Sequence, residues 1–231
     1  MNKAALLPLA LMASAAFAHE SADPLLFSAT VEHLEWRKSD GQDPLVLEGR
    51  AWLGYDLQKL WLDLDLEYID GEVEALELQA LYSRALSPYW DWQAGVRHDR
   101  HSDFDRTWIA LGIRGLAPYF FESGAAVFIG EEGAVALRLQ AEYEILFTQQ
   151  WILSPGLTLD FHGQNHAETT TGSGLSSSAF GWRLRYEIRP EMAPYLGVHW
   201  QRKYGNTAEF ARAQGEPDSD RQWVLGVRFW F

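Results

Sequence analysis

Of the seven histidines in this chain, five stand where type and spacing could serve a metal ion. His98 and His101 are interleaved with Asp99, Asp103 and Asp105, and imidazole nitrogen beside carboxylate oxygen suits a borderline divalent ion. In a loop both rings can turn toward one ion; the same residues also make an ordinary solvated connector. His162 and His166 form a second pair, followed by Thr169, Thr170, Thr171, Gly172, Ser173 and Gly174, a run that reads as flexible linker. His19 would chelate through its ring and its own α-amino group if the mature chain starts there. His33 and His199 stand alone and read as packed or lumenal side chains. The chain contains no Cys, which excludes disulfides and thiolate metal sites. Ser102 beside His101, or Ser173 with His162, would also fit a nucleophile and its base in an outer-rim hydrolase. No Gly-x-Ser-x-Gly elbow supports that, and a non-enzyme is the reading.

The elements that must carry these residues are strands. From Leu60 to Tyr68, Leu60, Leu62, Leu64 and Leu66 alternate with Trp61, Asp63, Asp65 and Glu67. Val135 to Leu146 and Phe180 to Ile188 set apolar residues against Arg138, Glu142, Glu144, Arg183 and Arg185 in the same way. Period two is the strand period, whereas an amphipathic helix repeats every 3.6 residues. About twelve such runs are legible, near 28–37, 44–55, 60–68, 72–84, 90–98, 106–116, 119–129, 135–146, 151–162, 178–188, 194–204 and 222–231. The last ends on Phe229, Trp230 and Phe231, an aromatic terminus that suits lipid better than water. Connectors alternate between polar loops and tight apolar turns, three of the turns carrying Ser87-Pro88-Tyr89, Ala117-Pro118-Tyr119 and Ala193-Pro194-Tyr195. Short turns at one end and long loops at the other, with 11 Trp, 9 Tyr and 12 Phe to form interface girdles, are the pattern of a transmembrane antiparallel β-barrel.

Met1 to Lys3, an apolar run from Ala4 to Leu11 and Ala16-Phe17-Ala18 read as a secretory signal over residues 1–18. A short segment, 19–27, and an all-β barrel of about 12 strands, 28–231, follow. That organisation places the barrel in a bacterial outer membrane, in contact with its lipid bilayer, with both termini periplasmic. The net charge of −13 argues against nucleic acid and is compatible with cations. Lumenal Asp63, Asp65, Glu67, Glu74, Glu142 and Glu144 oppose Arg84, Arg97, Arg138, Arg183 and Arg185 by alternation, and make either a salt-bridged, sealed interior or a carboxylate-lined cation path.

Several motifs in order resemble the copper resistance protein B family. They are Glu77 to Ala85 (Glu-Leu-Gln-Ala-Leu-Tyr-Ser-Arg-Ala), Trp92 to His98, Leu116 to Tyr119, Ala136 to Tyr143, Gly172 to Ser176, Arg183 to Ile188, Ala193 to Val198 and Arg202 to Arg212. The resemblance runs from about residue 28 to Phe231. It implies an outer-membrane protein of copper homeostasis that binds copper or assists its passage or sequestration, alongside a periplasmic copper protein. On that reading the candidate copper ligands are His98, His101, Asp99, Asp103, His162, His166 and His19. One departure stands out. Family members commonly carry a Met- and His-rich segment before the barrel, and here only Met192 would remain after signal removal. A general small-solute channel or structural barrel is the alternative function.

Overall fold

A computed structural model describes residues 24–39, 41–101, 104–166 and 169–231; the proposed signal, His19, Ser102 and Asp103 lie outside them. The alternating runs form one antiparallel sheet. Its strands are β1 (Leu26–Lys38), β2 (Leu45–Tyr55), β3 (Gln58–Ile69), β4 (Glu72–Ser87), β5 (Trp90–His101), β6 (Asp105–Ala117) and β7 (Phe121–Gly130). Then come β8 (Val135–Glu142, continued by Ile145–Leu146), β9 (Trp151–His162), β10 (Gly174–Tyr186), β11 (Met192–Lys203) and β12 (Ser219–Trp230). Each strand pairs with its sequence neighbours, and β12 returns to β1 from Thr30↔Trp230 to Lys38↔Trp223. That pairing closes a twelve-strand barrel and leaves no open sheet edge, which lipid requires because it satisfies no backbone hydrogen bonds. Among the described residues no helix is long and apolar enough to cross a membrane.

The wall follows the alternation. Leu60, Ile109, Leu196 and Trp223 are more than half exposed on the outside, while Glu35, Arg37, Asp99 and Arg185 are buried within. Two departures from clean alternation have local causes. In β1 the register slips between Val31 and Leu34, and this bulge lets both Glu32 and His33 line the lumen. In β6 and β7 the inward positions are Trp108, Ala110, Ala126 and Phe128, which pack with Leu81 and Ala136 as a small apolar core inside the barrel. Inward and outward sides are both apolar there, so hydropathy alternation fades although geometric alternation persists.

The Pro-Tyr signature splits. Tyr89 and Tyr119 are 66% and 81% exposed at the tight-turn end, with Tyr119 at φ +67°. Pro194 instead lies inside β11, paired with Val227, and Tyr195 is buried in the lumen. Tyr195 stands opposite Gly226, and a β-carbon at Gly226 would lie 2.5 Å from its ring. The glycine therefore lets the ring lie across β12 and brings its hydroxyl to Glu35 at 3.1 Å. Gly226→Val is expected to displace Tyr195 and cost about 1–3 kcal/mol through overpacking, read as a lower midpoint in heat-induced unfolding.

The two longest connectors are ordered by each other. Residues 205–213, expected as loop, form a helix, α1 (Gly205–Ala213), that buries Ala208 and Ala211. The 163–177 connector, expected as linker, docks on it: the Gly172 amide donates to Thr207 Oγ1 at 2.8 Å. Asn165 Oδ1 accepts from the Ser173 amide at 2.7 Å and from Asn206 Nδ2 at 3.0 Å. Arg212 Nη2 ties the end of α1 to Asp218 at 2.6 Å, and this hydrogen bond holds the Asp218 carboxyl below the usual aspartate range.

Candidate functional site: a chambered, charged lumen

Inside the wall the lumen is a string of chambers. At the loop end a vestibule of about 400 Å³ is roofed by Thr169, Thr170, Thr171 and Thr207 and walled by Asp65, Glu67, Glu77, Arg97, Asp99, His101, Arg138, Asp160 and His162. A neck of about 30 Å³ shares Phe128 and Arg138 with it. A third chamber of about 220 Å³ shares Arg114, Gly124 and Gln140 with the neck and adds Glu32, His33, Glu48, Glu142 and His199. The neck has room for about two waters by volume.

Ion pairs form belts across this space. Arg138 on β8 donates to Asp160 on β9 and reaches across to Glu77 on β4, both at 2.7 Å. Glu77 also takes Arg97 at 2.7 Å, and Arg97 holds Asp99 at 2.6 Å, to which Trp108 Nε1 donates at 2.9 Å. The Phe128 ring is approached by both guanidinium groups, at 4.5 Å by Arg97 and 5.9 Å by Arg138. Nearer the tight-turn end, Glu35 is fully buried and accepts from Arg37, Arg183 and Tyr195. Arg50 joins Glu32 and Asp63 at 2.9 Å each, and Glu144 receives Arg185 at 2.6 Å. Carboxylates inside a barrel wall need such partners, because desolvation otherwise penalises the charge. Arg84, expected inside, is exposed next to buried Ser83 and stands on the outer wall.

The vestibule keeps two carboxylates outside these belts. Its five acids are Asp65, Glu67, Glu77, Asp99 and Asp160, against Arg97, Arg138 and Lys203. Glu77, Asp99 and Asp160 are held by arginine, and Lys203 by Glu216 at 2.7 Å. Among the described residues Asp65 and Glu67 form no ion pair, and they face the same chamber as His101 and His162.

The sequence-derived ligands separate. The stretch expected as a loop after residue 98 is strand up to His101, where the His101 amide donates to Phe104 O at 2.8 Å. Neighbouring residues of a strand point to opposite faces, so Asp99 and His101 enter the vestibule while His98 lies on the outer wall against Thr107 Oγ1 at 3.0 Å. His162 faces the vestibule, and His166 sits in the roof, bridged to Thr171. Asp65, Glu67 and Asp160 were legible as lumenal or strand residues but not as neighbours of these rings. Among the described residues no three His, Asp or Glu side chains converge as a metal site. His162 Nδ1 lies 2.9 Å from Ser176 Oγ, and Ser176 donates its proton to the Asp160 carbonyl at 2.9 Å. Nδ1 is therefore the donor to Ser176, an arrangement opposite to that of a base activating a nucleophile.

Comparison with known proteins places this architecture. Among solved structures the chain is similar to the NanC porin, with TM-score 0.59 and 12% identity over 88% of this chain and 99% of that one. It is also similar to the KdgM porin, with TM-score 0.52 and 12% identity over the same shares; these likenesses bear on the fold alone. By sequence it is 40% identical over 213 residues to Copper resistance protein B of Escherichia coli, covering 92% of this chain and 71% of that protein. It is 41% identical to a Copper resistance protein B homolog of Pseudomonas syringae pv. tomato, covering 92% and 72%. The family described as Copper resistance protein B precursor matches residues 25–231. With the barrel, the charged lumen and these matches together, the chain belongs to the copper resistance protein B family.

Proposed function

We propose that this barrel sits in the outer membrane with its loops outside and both termini periplasmic, and that it admits copper ions through the loop end without catalysing a reaction. Copper(II) is held for a time in the vestibule by one or two donors at once from among Asp65, Glu67, His101 and His162, and leaves past the neck toward a periplasmic copper protein. The observation that carries this reading is that the two vestibule carboxylates outside the arginine belts share one chamber with two imidazoles, those of His101 and His162. Carboxylate and imidazole are Cu(II) donors, and the acid excess attracts cations over anions. Because no three donors converge, the ion keeps much of its water shell, which suits passage better than storage. The single methionine among the described residues, Met192, begins β11, so the described lumen offers no thioether set for Cu(I).

Strains lacking the gene, grown at sublethal copper, supply the test. Wild type is expected to restore periplasmic and total copper content, His101→Ala/His162→Ala to fail, and His98→Ala to behave as wild type because its ring faces outward. Unchanged copper content and survival on deletion would defeat the reading. A sealed structural barrel is the second reading, favoured by the cross-lumen pair of Arg138 with Glu77; absence of cation conductance in planar bilayers would select it.

A further inference from the structure

The outer wall carries a feature that copper handling leaves unexplained. Across β1, β10, β11 and β12 runs an apolar groove of about 390 Å³, flanked by Trp36, Trp182, Leu196, Trp223 and Leu225. Gly197 lies at its floor, where only backbone separates the flanking side chains. Trp36, Trp182 and Trp223 remain 46%, 45% and 66% exposed, so these rings rise beside a depression rather than cover it. Lys38 stands at its mouth.

Above the groove, toward the loop end, the same wall turns basic. Lys38 pairs with Trp223, Arg221 with Trp200 and Arg202 with Ser219. Lys38, Arg221 and Arg202 thus stand on the adjacent strands β1, β12 and β11, all exposed and on the tryptophan side of the wall. Neighbouring strands lie roughly 4.8 Å apart and each cation stands two residues, roughly 6.6 Å, further along than the last, so adjacent cations are roughly 8 Å and the outer two roughly 16 Å apart by backbone position, a row that the long side chains can bring to one headgroup. Arg221 has no protein partner among the described residues, Arg202 lies over the Tyr204 ring at 5.4 Å, and Lys38 reaches Asp43 at 2.7 Å. Among the described residues the other acids nearby are committed: Asp218 to Arg212 and Asp220 to Gln222. A cationic row on a chain of net charge −13 is a local reversal of sign.

We propose that this row and groove bind one phosphorylated, multiply acylated glycolipid of the outer leaflet, with its phosphates on Lys38, Arg202 and Arg221 and one acyl chain in the groove over Gly197. Arginine meets phosphate through paired charge-assisted hydrogen bonds, and tryptophans mark the level where headgroup gives way to chain. The inference rests on the loop end facing outward, as the proposed function has it, and is independent of copper.

The test is native mass spectrometry of the full barrel purified from outer membranes in mild detergent. Wild type is expected to retain about one glycolipid per barrel, and Lys38→Ala/Arg202→Ala/Arg221→Ala about tenfold less. Retention is compared with bis-dephosphorylated glycolipid and with phosphatidylglycerol added to delipidated barrel. If the triple variant fails the heat-modifiability check for folding, Arg221→Gln titrated with glycolipid in nanodiscs carries the same test. Equal retention by wild type and folded variant, or equal binding of the dephosphorylated form, overturns the proposal. Preference for phosphatidylglycerol also overturns it. Labelling of exposed Gln214→Cys, in a chain without other cysteines, by a membrane-impermeant maleimide on whole cells then separates the two failures: labelling only after permeabilisation defeats the orientation, and labelling of intact cells defeats the lipid site alone.

Discussion

Phe128→Ala is expected to raise the cation conductance of the barrel in planar bilayers while lowering its stability. Phe128 is 1% exposed and is the residue that, with Arg138, bounds both the vestibule and the neck. Removing the ring merges a chamber of about 400 Å³ with one of about 30 Å³. It also frees Arg97 and Arg138 from the aromatic face that both approach. Truncating a buried phenylalanine costs about 3–5 kcal/mol in packing, and each lost cation–π contact adds about 0.5–1 kcal/mol. Conductance equal to that of wild type would place any path away from the β4–β8 side of the lumen, and an unaltered unfolding midpoint would deny the internal core its structural role.

The second large effect is expected at Glu35. Its carboxylate is fully buried and receives Arg37, Arg183 and Tyr195 together, joining β1 to β10 and β11 across the lumen. Glu35→Ala leaves two guanidinium groups facing each other without their shared anion. Removing one partner of a buried ionic group costs about 3–5 kcal/mol. Glu67→Gln, in the same lumen but without an ion pair among the described residues, is expected to change stability by less than about 0.5 kcal/mol. Midpoints of heat-induced loss of the compact gel band, compared for the two variants, check this; equal midpoints would mean that the belt around Glu35 carries no net stabilisation.

Much of the wall was legible because the bilayer imposes it: positions that face hydrocarbon are mostly apolar, so period two survives in β3, β8 and β10. It faded where the inside is apolar too, at Trp108, Ala110 and Phe128, and where the β1 bulge turns Glu32 and His33 to one side. The chain-terminal strand announced itself through Phe229 and Phe231, whereas α1 was hidden behind Gly205 and Asn206 although Ala208 and Ala211 are spaced as a buried helical stripe. The lumenal site was half legible. Arg138 and Asp65 were assigned to the inside by parity, but β4 was read with Glu74 and Arg84 inside, a parity that leaves Glu77 out, and the 61-residue separation of Arg138 from Glu77 closes only through the shear and width of the barrel, which no local pattern states. Parity could have separated His98 from Asp99 at once, had the stretch been read as strand; the missing signal was the hairpin that Phe104 closes with His101.

Central to this account is that copper(II) is held inside the barrel by the vestibule imidazoles. Electron paramagnetic resonance of the purified, delipidated barrel with one equivalent of Cu(II) tests it most directly. The account predicts nitrogen hyperfine coupling in wild type and in His98→Ala, and its loss in His101→Ala/His162→Ala; coupling that persists in the double variant, or disappears in His98→Ala, would contradict it.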